Sequence, residues 1–185
     1  MMQEISLNIL DIAQNSVSAG ASLIEITVDE QPGPDSLIVT IRDNGKGMTP
    51  EQVEAVTDPF YTTRTTRKVG LGVPFFKMAA EMSGGSFSIR SKVGEGTVVC
   101  GKFGLSNIDR MPIGDVNATI LTLITCNPGL DFVYTRRKGG GEFILDTREV
   151  RNVLGEVPLN NGEVTLWIRD FLREGEAEVA PDNPQ

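Results

Sequence analysis

The sequence contains no histidine. That excludes any mechanism needing an imidazole of its own, whether as base, metal ligand or phosphoacceptor. Cysteine is nearly as scarce. Cys100 and Cys126 fit neither a metal spacing nor a disulfide framework, so a reduced cytoplasm is the expected compartment. No run approaches the ~20 apolar residues of a membrane span. The start, Met1-Met2-Gln3-Glu4, lacks the basic flank and apolar core of a signal peptide. Positive charge is also short: 17 Lys and Arg against 25 Asp and Glu leave a net charge of −8. That argues against nucleic acid or an anionic membrane as the main partner. What remains, 185 residues of ordinary globular composition, suits one domain or one domain with a compact extension.

The chain is organised around Asp43-Asn44-Gly45-Lys46-Gly47-Met48. The preceding residues 36–42 are β-branched and strand-like, so the strand delivers a carboxylate to the edge of a sheet. The glycines beside it would let backbone approach a flat or phosphorylated ligand, although Asp-Asn-Gly is also ordinary turn chemistry. Upstream, residues 3–19 read as a helix with an apolar stripe of Ile5, Ile9, Ile12 and Ala13. Asn8, Asp11 and Asn15 lie off that stripe. Asp11 and Asn15 are four apart and project together. The amide oxygen suits a hard cation and the carboxylate can orient a water or hydroxyl; a solvated polar face is the plainer reading.

Residues 22–28 predict a first strand, 31–35 a turn, and 37–42 its hairpin partner. Thr49-Pro50-Glu51-Gln52 predicts a capped helix start. The 60–72 segment collects hydroxyls, Arg64, Arg67, Lys68, Gly70 and Gly72 in an otherwise acidic chain. Such a loop can wrap a polyanion, with a helix opening behind it over 73–82. Strands are expected at 87–91 and 97–103. The run Gly96 to Phe103 is not a P-loop, because its middle is β-branched strand and Phe103 stands where Ser or Thr is needed. Residues 115–126 leave helix and strand both open. A hairpin is expected at 131–146 around Lys138-Gly-Gly-Gly141, then helices capped by Asp146 and Asn160, the second reaching Leu172. The acidic, proline-bearing end, 175–185, reads as disordered.

Together these segments resemble the GHKL (Bergerat-fold) ATP-binding domain of gyrase, ninety-kilodalton heat-shock chaperones, histidine kinases and mismatch-repair ATPases. Leu10 to Asn15 resembles the N box, Asp43 to Gly47 the first glycine box, Asp58 to Tyr61 the F box, Gly70-Leu71-Gly72 the second glycine box, and Gly94 to Thr97 the last box. The resemblance implies an α+β fold: a two-layer α/β sandwich of mixed sheet with helices on one face, plus a small α/β C-terminal extension. It implies ATP and Mg²⁺ as cofactors, with Asn15 on the metal and Asp43 and Thr97 at adenine. Gly45, Gly47, Phe60, Thr62, Thr63, Arg64, Lys68, Gly70, Leu71 and Gly72 complete the nucleotide site. Asp11 stands where hydrolysing members and anti-sigma serine kinases carry a general-base glutamate. It is one methylene shorter, which leaves its role as catalytic base open.

The expected division is 1–104 for the ATP-binding domain, 105–174 for an extension of unassigned role, and 175–185 for the tail. The chain starts almost at the N-box helix, so a stand-alone domain without the dimerising helical hairpin of histidine kinases is expected. The function implied is a cytoplasmic, signalling, histidine-kinase-like phosphotransferase acting on a partner protein, or a slow ATPase. The alternative is a non-catalytic, ATP-gated binding module. Neither nucleic acid nor membrane is expected as a partner, and self-association stays open.

Overall fold

The computed structural model describes residues 4–60 and 71–179. In chain order they form α1 (Ile5–Ser18), β1 (Leu23–Gln31), β2 (Ser36–Asp43), α2 (Pro50–Thr57), α3 (Gly72–Met82), β3 (Ser86–Lys92) and β4 (Gly96–Gly104). Then come α4 (Val116–Cys126), β5 (Asp131–Lys138), β6 (Gly141–Asp146), α5 (Thr147–Leu154) and α6 (Gly162–Val179). The strands make one sheet in the order β3-β4-β2-β1-β5-β6. β1 and β5 pair in parallel and the other neighbours are antiparallel.

Strand pleat decides which face is the core. Ile24, Ile26 and Val28 of β1, Leu37, Val39 and Ile41 of β2, and Phe132 and Tyr134 of β5 are buried on one face. The other face carries Thr27, Thr40, Arg42 and Lys102, all partly or fully exposed. α1 packs on α3 and α4, and α4 on α6, giving the helical layer over the buried face. Local signals account for several ends. Thr49 and Gln52 close a reciprocal capping box with Pro50 in the first turn. Asp115 Oδ1 accepts from Ala118 N at 2.8 Å. The buried set Val116, Thr119, Ile120, Leu123 and Ile124 has helical spacing, so 116–126 is helix and not strand.

Three expectations need correction. Asn8 is not on the open face of α1; it is buried, and its Nδ2 donates to Glu4 O at 3.2 Å. The last helix is capped by Asn161, whose Oδ1 accepts from Glu163 N at 3.0 Å, and it runs to Val179. Residues 175–179, expected to be disordered, continue the stripe Val164, Ile168, Leu172, Gly175, Val179, every one buried. Gly175 belongs there because any Cβ would strike the Phe143 ring. Residues 180–185 lie outside the described set.

Residues 105–174 share the sheet and the core of the first hundred. β5 lies along β1 from Leu23↔Asp131 to Glu30↔Lys138. The first turn of α1 donates Ile5 N to Pro112 O at 3.0 Å and Ser6 N to Ile113 O at 2.9 Å. Without β5, β1 would be an exposed edge. No described helix is long and apolar enough to cross a membrane.

Arg136 pins α6 to this sheet. Its side chain is only 5% exposed; Nη2 meets Glu30 Oε2 at 2.6 Å and Nε meets Glu176 Oε2 at 3.0 Å. Without Arg136 the largely buried Glu30 keeps only Lys138 at 3.6 Å while Glu176, 40% exposed, turns to water, so the loss should fall at the lower end of the about 3–5 kcal/mol cost of breaking a fully buried pair. Arg136→Ala should therefore lower the unfolding free energy in a urea titration by about that amount. Arg148→Ala breaks the more exposed pair with Asp146 and should cost less than about 1 kcal/mol.

Candidate functional site

Register assembles the site. Asp43 ends β2 opposite Thr97 of β4, and Thr97 lies opposite Ser91 of β3. The three share the inward pleat of Ile41, Val99 and Ile89, so they form a polar row at the end of the apolar face. Asp43 and Thr97 of that row line a cavity of about 370 Å³ beneath α1, and Ser91 stands behind Thr97. Met48, Val56, Val73, Ile89 and Val99 give it apolar walls, and Asn15, Ser18 and Lys46 stand among its polar lining.

Asp43 is 8% exposed. Its Oδ1 accepts from Gly45 N at 2.8 Å and its Oδ2 from Ser16 Oγ at 2.6 Å. A carboxylate oxygen has further lone-pair capacity, so the group still offers acceptors to the cavity. Ser91 Oγ accepts from Met48 N at 2.8 Å and donates to Gly96 O at 3.0 Å. A carbonyl can only accept, which assigns the one Ser91 proton to Gly96. The 2.7 Å contact between Ser91 and Thr97 hydroxyls then takes its proton from Thr97. Thr97 is thereby left as an acceptor toward the cavity.

The two glycines near Asp43 are also required by packing. A Cβ on Gly45 would lie 2.9 Å from Ala19 O, and one on Gly47, at φ +67°, would strike Lys92 O. Asn44 locks the same corner: its Oδ1 accepts from Ser22 N at 2.9 Å and Leu23 N at 3.0 Å.

At the other end of the cleft, α1 presents Asp11 and Asn15, both exposed. The start of α3 packs against Asp11 so closely that a Cβ on Gly72 would lie 2.7 Å from Asp11 Cβ. Although Asp11 is exposed at the surface, the packing of α3 partly desolvates its carboxyl and raises it from its ordinary value. Leu71, at the N-cap of α3, makes no side-chain cap bond, and of the first three helical residues only Gly72 and Val73 carry an N–H, since Pro74 has none.

Of the residues singled out from sequence, Asn15, Asp43, Gly47 and Thr97 line one cavity, with Gly45 hydrogen-bonded to Asp43. Asp11 and Gly72 adjoin each other at the start of α3. Phe60 and Leu71 do not line the cavity; Phe60 is 89% exposed and Leu71 half-exposed. Thr62, Thr63, Arg64, Lys68 and Gly70, with Tyr61 and Arg67, lie outside the described residues. Ser16, Lys46 and Ser91 were not foreseen. Ser91 follows Phe87 and Ile89 by the two-residue pleat, and Ser16 directly follows Asn15, which were the available signals.

The site is a cleft between a mixed sheet and a helix layer, closed by an acid at a strand end. The family described as "Histidine kinase-, DNA gyrase B-, and HSP90-like ATPase" matches residues 1–107, and the chain belongs to it. It is 34% identical over 91 residues to the sensor histidine kinase ZraS of Salmonella typhi, covering 49% of this chain and 19% of ZraS. It is 37% identical over 101 residues to the sensor protein SrrB of Staphylococcus aureus, covering 52% of this chain and 17% of SrrB. This chain thus spans less than a fifth of the length of these relatives. The Aquifex aeolicus MutL ATPase domain complexed with ADP aligns over 100% of both chains, with a TM-score of 0.49 and 14% identity.

The raised Asp11 carboxyl carries a sign that can be measured. A folded-state value above the unfolded one means folding favours the protonated form, so the charged form costs stability at neutral pH. Asp11→Asn should raise the melting temperature at pH 7. The gain should shrink as pH falls through the carboxylate range, and a pH-independent difference would contradict the assignment.

Proposed function

We propose that this chain binds ATP with Mg²⁺ and passes the γ-phosphoryl group to a partner protein or, slowly, to water. The row of Asp43, Thr97 and Ser91 carries this reading. Asp43 and Thr97 both offer acceptors to the cavity, and adenine presents an exocyclic amine, a donor, with its ring between apolar walls. The O6 of a 6-oxo purine in the place of that amine would face the Asp43 carboxylate, acceptor against acceptor, a mismatch at that atom.

The phosphates of a base so seated leave toward Asn15, Asp11 and the start of α3. The Asn15 carboxamide oxygen suits Mg²⁺, which takes one or two protein ligands plus phosphate oxygens. The described residues contain no cluster of three His, Cys, Asp or Glu, as fits a cation shared with phosphates and not caged by protein. When bound, the ion neutralises phosphate charge. The chain's own groups do the rest. α3 offers N–H donors, and Arg64 and Lys68 are the counter-charges implied by the resemblance. Asp11, its proton affinity raised by burial, accepts the proton of the attacking hydroxyl or water. The acceptor is not a histidine of these 185 residues. The names of the relatives, a sensor histidine kinase and a sensor protein, support a signalling role.

Nucleotide binding is read by linkage. Mg-ATP at a hundredfold excess over its Kd should stabilise the fold by about 2.7 kcal/mol. Asp43→Asn should abolish that gain, and an unchanged gain would refute the adenine assignment. Ser91→Ala frees the Thr97 proton to donate, so it should narrow the preference for ATP over ITP, measured by calorimetric titration. For chemistry, γ-labelled ATP is incubated with the chain and lysate of its source cell. Label on a partner that is lost in Asp11→Asn supports transfer, and released phosphate alone indicates an ATPase. Neither product would leave an ATP-gated binding module.

A further inference from the structure

The helices after β6 leave an apolar groove that the nucleotide cleft does not use. α5 lends it Val150, Val153 and Leu154, α6 lends Trp167 and Phe171, and Ile144 closes it at the edge strand. The cavity is about 370 Å³. Val153 is 87% exposed, Trp167 51% and Ile144 48%. Trp167 and Phe171 stack with centroids 5.1 Å apart and 9° between their planes, which fixes both rings in the groove wall. A contiguous apolar surface of this kind marks an interaction site more often than scattered exposure does.

The groove is preformed. Arg151 ties α5 to the sheet, with Nε on Asp131 Oδ1 at 2.8 Å and Nη2 on Pro128 O at 2.6 Å and Leu130 O at 2.8 Å. Phe171 is seated on Phe143 with centroids 5.0 Å apart. A rigid groove between two helices receives a third helix, whose apolar side chains enter along one stripe.

Charge identifies the occupant. The arginines around the groove are already paired: Arg148 with Asp146, Arg151 with Asp131, and Arg169 and Arg173 with Asp170. Glu149 lines the groove, and Glu163 stands one turn before Trp167 on the same face of α6; both are exposed. A second copy would bring its own Glu149 and Glu163 against these, so self-association is disfavoured. We propose that this groove docks an amphipathic helix of a partner protein, with apolar side chains flanked by lysine or arginine.

Trp167 is the only tryptophan of the chain, so its emission reports the groove alone. The test titrates the whole chain, without nucleotide, with a synthetic Leu/Lys amphipathic peptide and its Leu/Glu counterpart. The Leu/Lys peptide should bind saturably and shift Trp167 emission to the blue, and the Leu/Glu peptide should not. Glu149→Lys with Glu163→Lys should weaken binding at least tenfold. Glu54→Lys with Glu81→Lys, the same charge change on α2 and α3, should leave it unchanged. Val153→Asp, at a position already exposed, should also abolish the shift while circular dichroism stays the same. The proposal is overturned if both charge pairs weaken binding equally, since bulk charge then explains it. It is equally overturned if neither peptide moves the emission, if both peptides bind alike, or if sedimentation shows the groove filled by a second copy. Nucleotide is absent throughout, so failure here leaves the ATP reading standing.

Discussion

Asp43 is held before any ligand arrives. Its Oδ2 takes the Ser16 hydroxyl at 2.6 Å, its Oδ1 takes Gly45 N at 2.8 Å, and its backbone is fixed between Ile24 and Thr97 by the ladder. This clamp depends on register. A slip of one residue in β2 would send Leu37, Val39 and Ile41 to the open face and carry Asp43 with them. The hydrophobic pattern that builds the core therefore also aims the carboxylate. Thr97 and Ser91 obey the same parity through Val99 and Ile89. Core and site are one specification, and a substitution that loosens one should be read for its effect on the other.

The C-terminal half extends the same logic. β5 lies parallel to β1, and a parallel neighbour needs a crossover, which 105–130 supplies by passing over α1 and through α4. The crossover satisfies the N-terminal donors of α1, through Pro112 and Ile113, that no side chain caps. The helix bearing Asp11, Asn15 and Ser16 is thus anchored at its start by the segment that follows the matched family region. Arg136 completes the tie by joining β1, β5 and α6 through Glu30 and Glu176.

What could be read from sequence was local. The capping box at Thr49, the Asp146 cap and the hairpin around Gly139 and Gly140 each rest on a few adjacent residues, and each is present. The acid at the end of β2 and the N-box pair were legible for the same reason, because motif spacing survives without the fold. The parallel β1–β5 pairing was not legible: nothing in 23–31 or 131–138 encodes which strand lies beside which. The end of α6 was misread because acidic composition outweighed periodicity, although Leu172, Gly175 and Val179 continue the stripe. Ser16 and Ser91 escaped because adjacency to Asn15 or a place on the inward pleat marks a serine's face but not its partner. Only the ladder puts Ser91 against Thr97 and the helix packing puts Ser16 against Asp43.

The cleft and the apolar groove stand at opposite sides of one sheet. The groove lies at the β6 edge and Asp43 ends β2, three interstrand gaps of about 4.8 Å away, or about 14 Å across the sheet. A paired sheet with a close-packed helix layer transmits little continuous deformation, so the two proposed sites do not require a coupling through the sheet. A partner docked at β6 as proposed would present the remainder of its chain at raised effective concentration near the cleft, provided its linker spans that distance. On the two readings proposed above, the groove would select the partner and the Asp43 row the nucleotide. Each selection would rest on its own contacts, so a reaction between Asn15 and Asp11 would not itself have to discriminate either one.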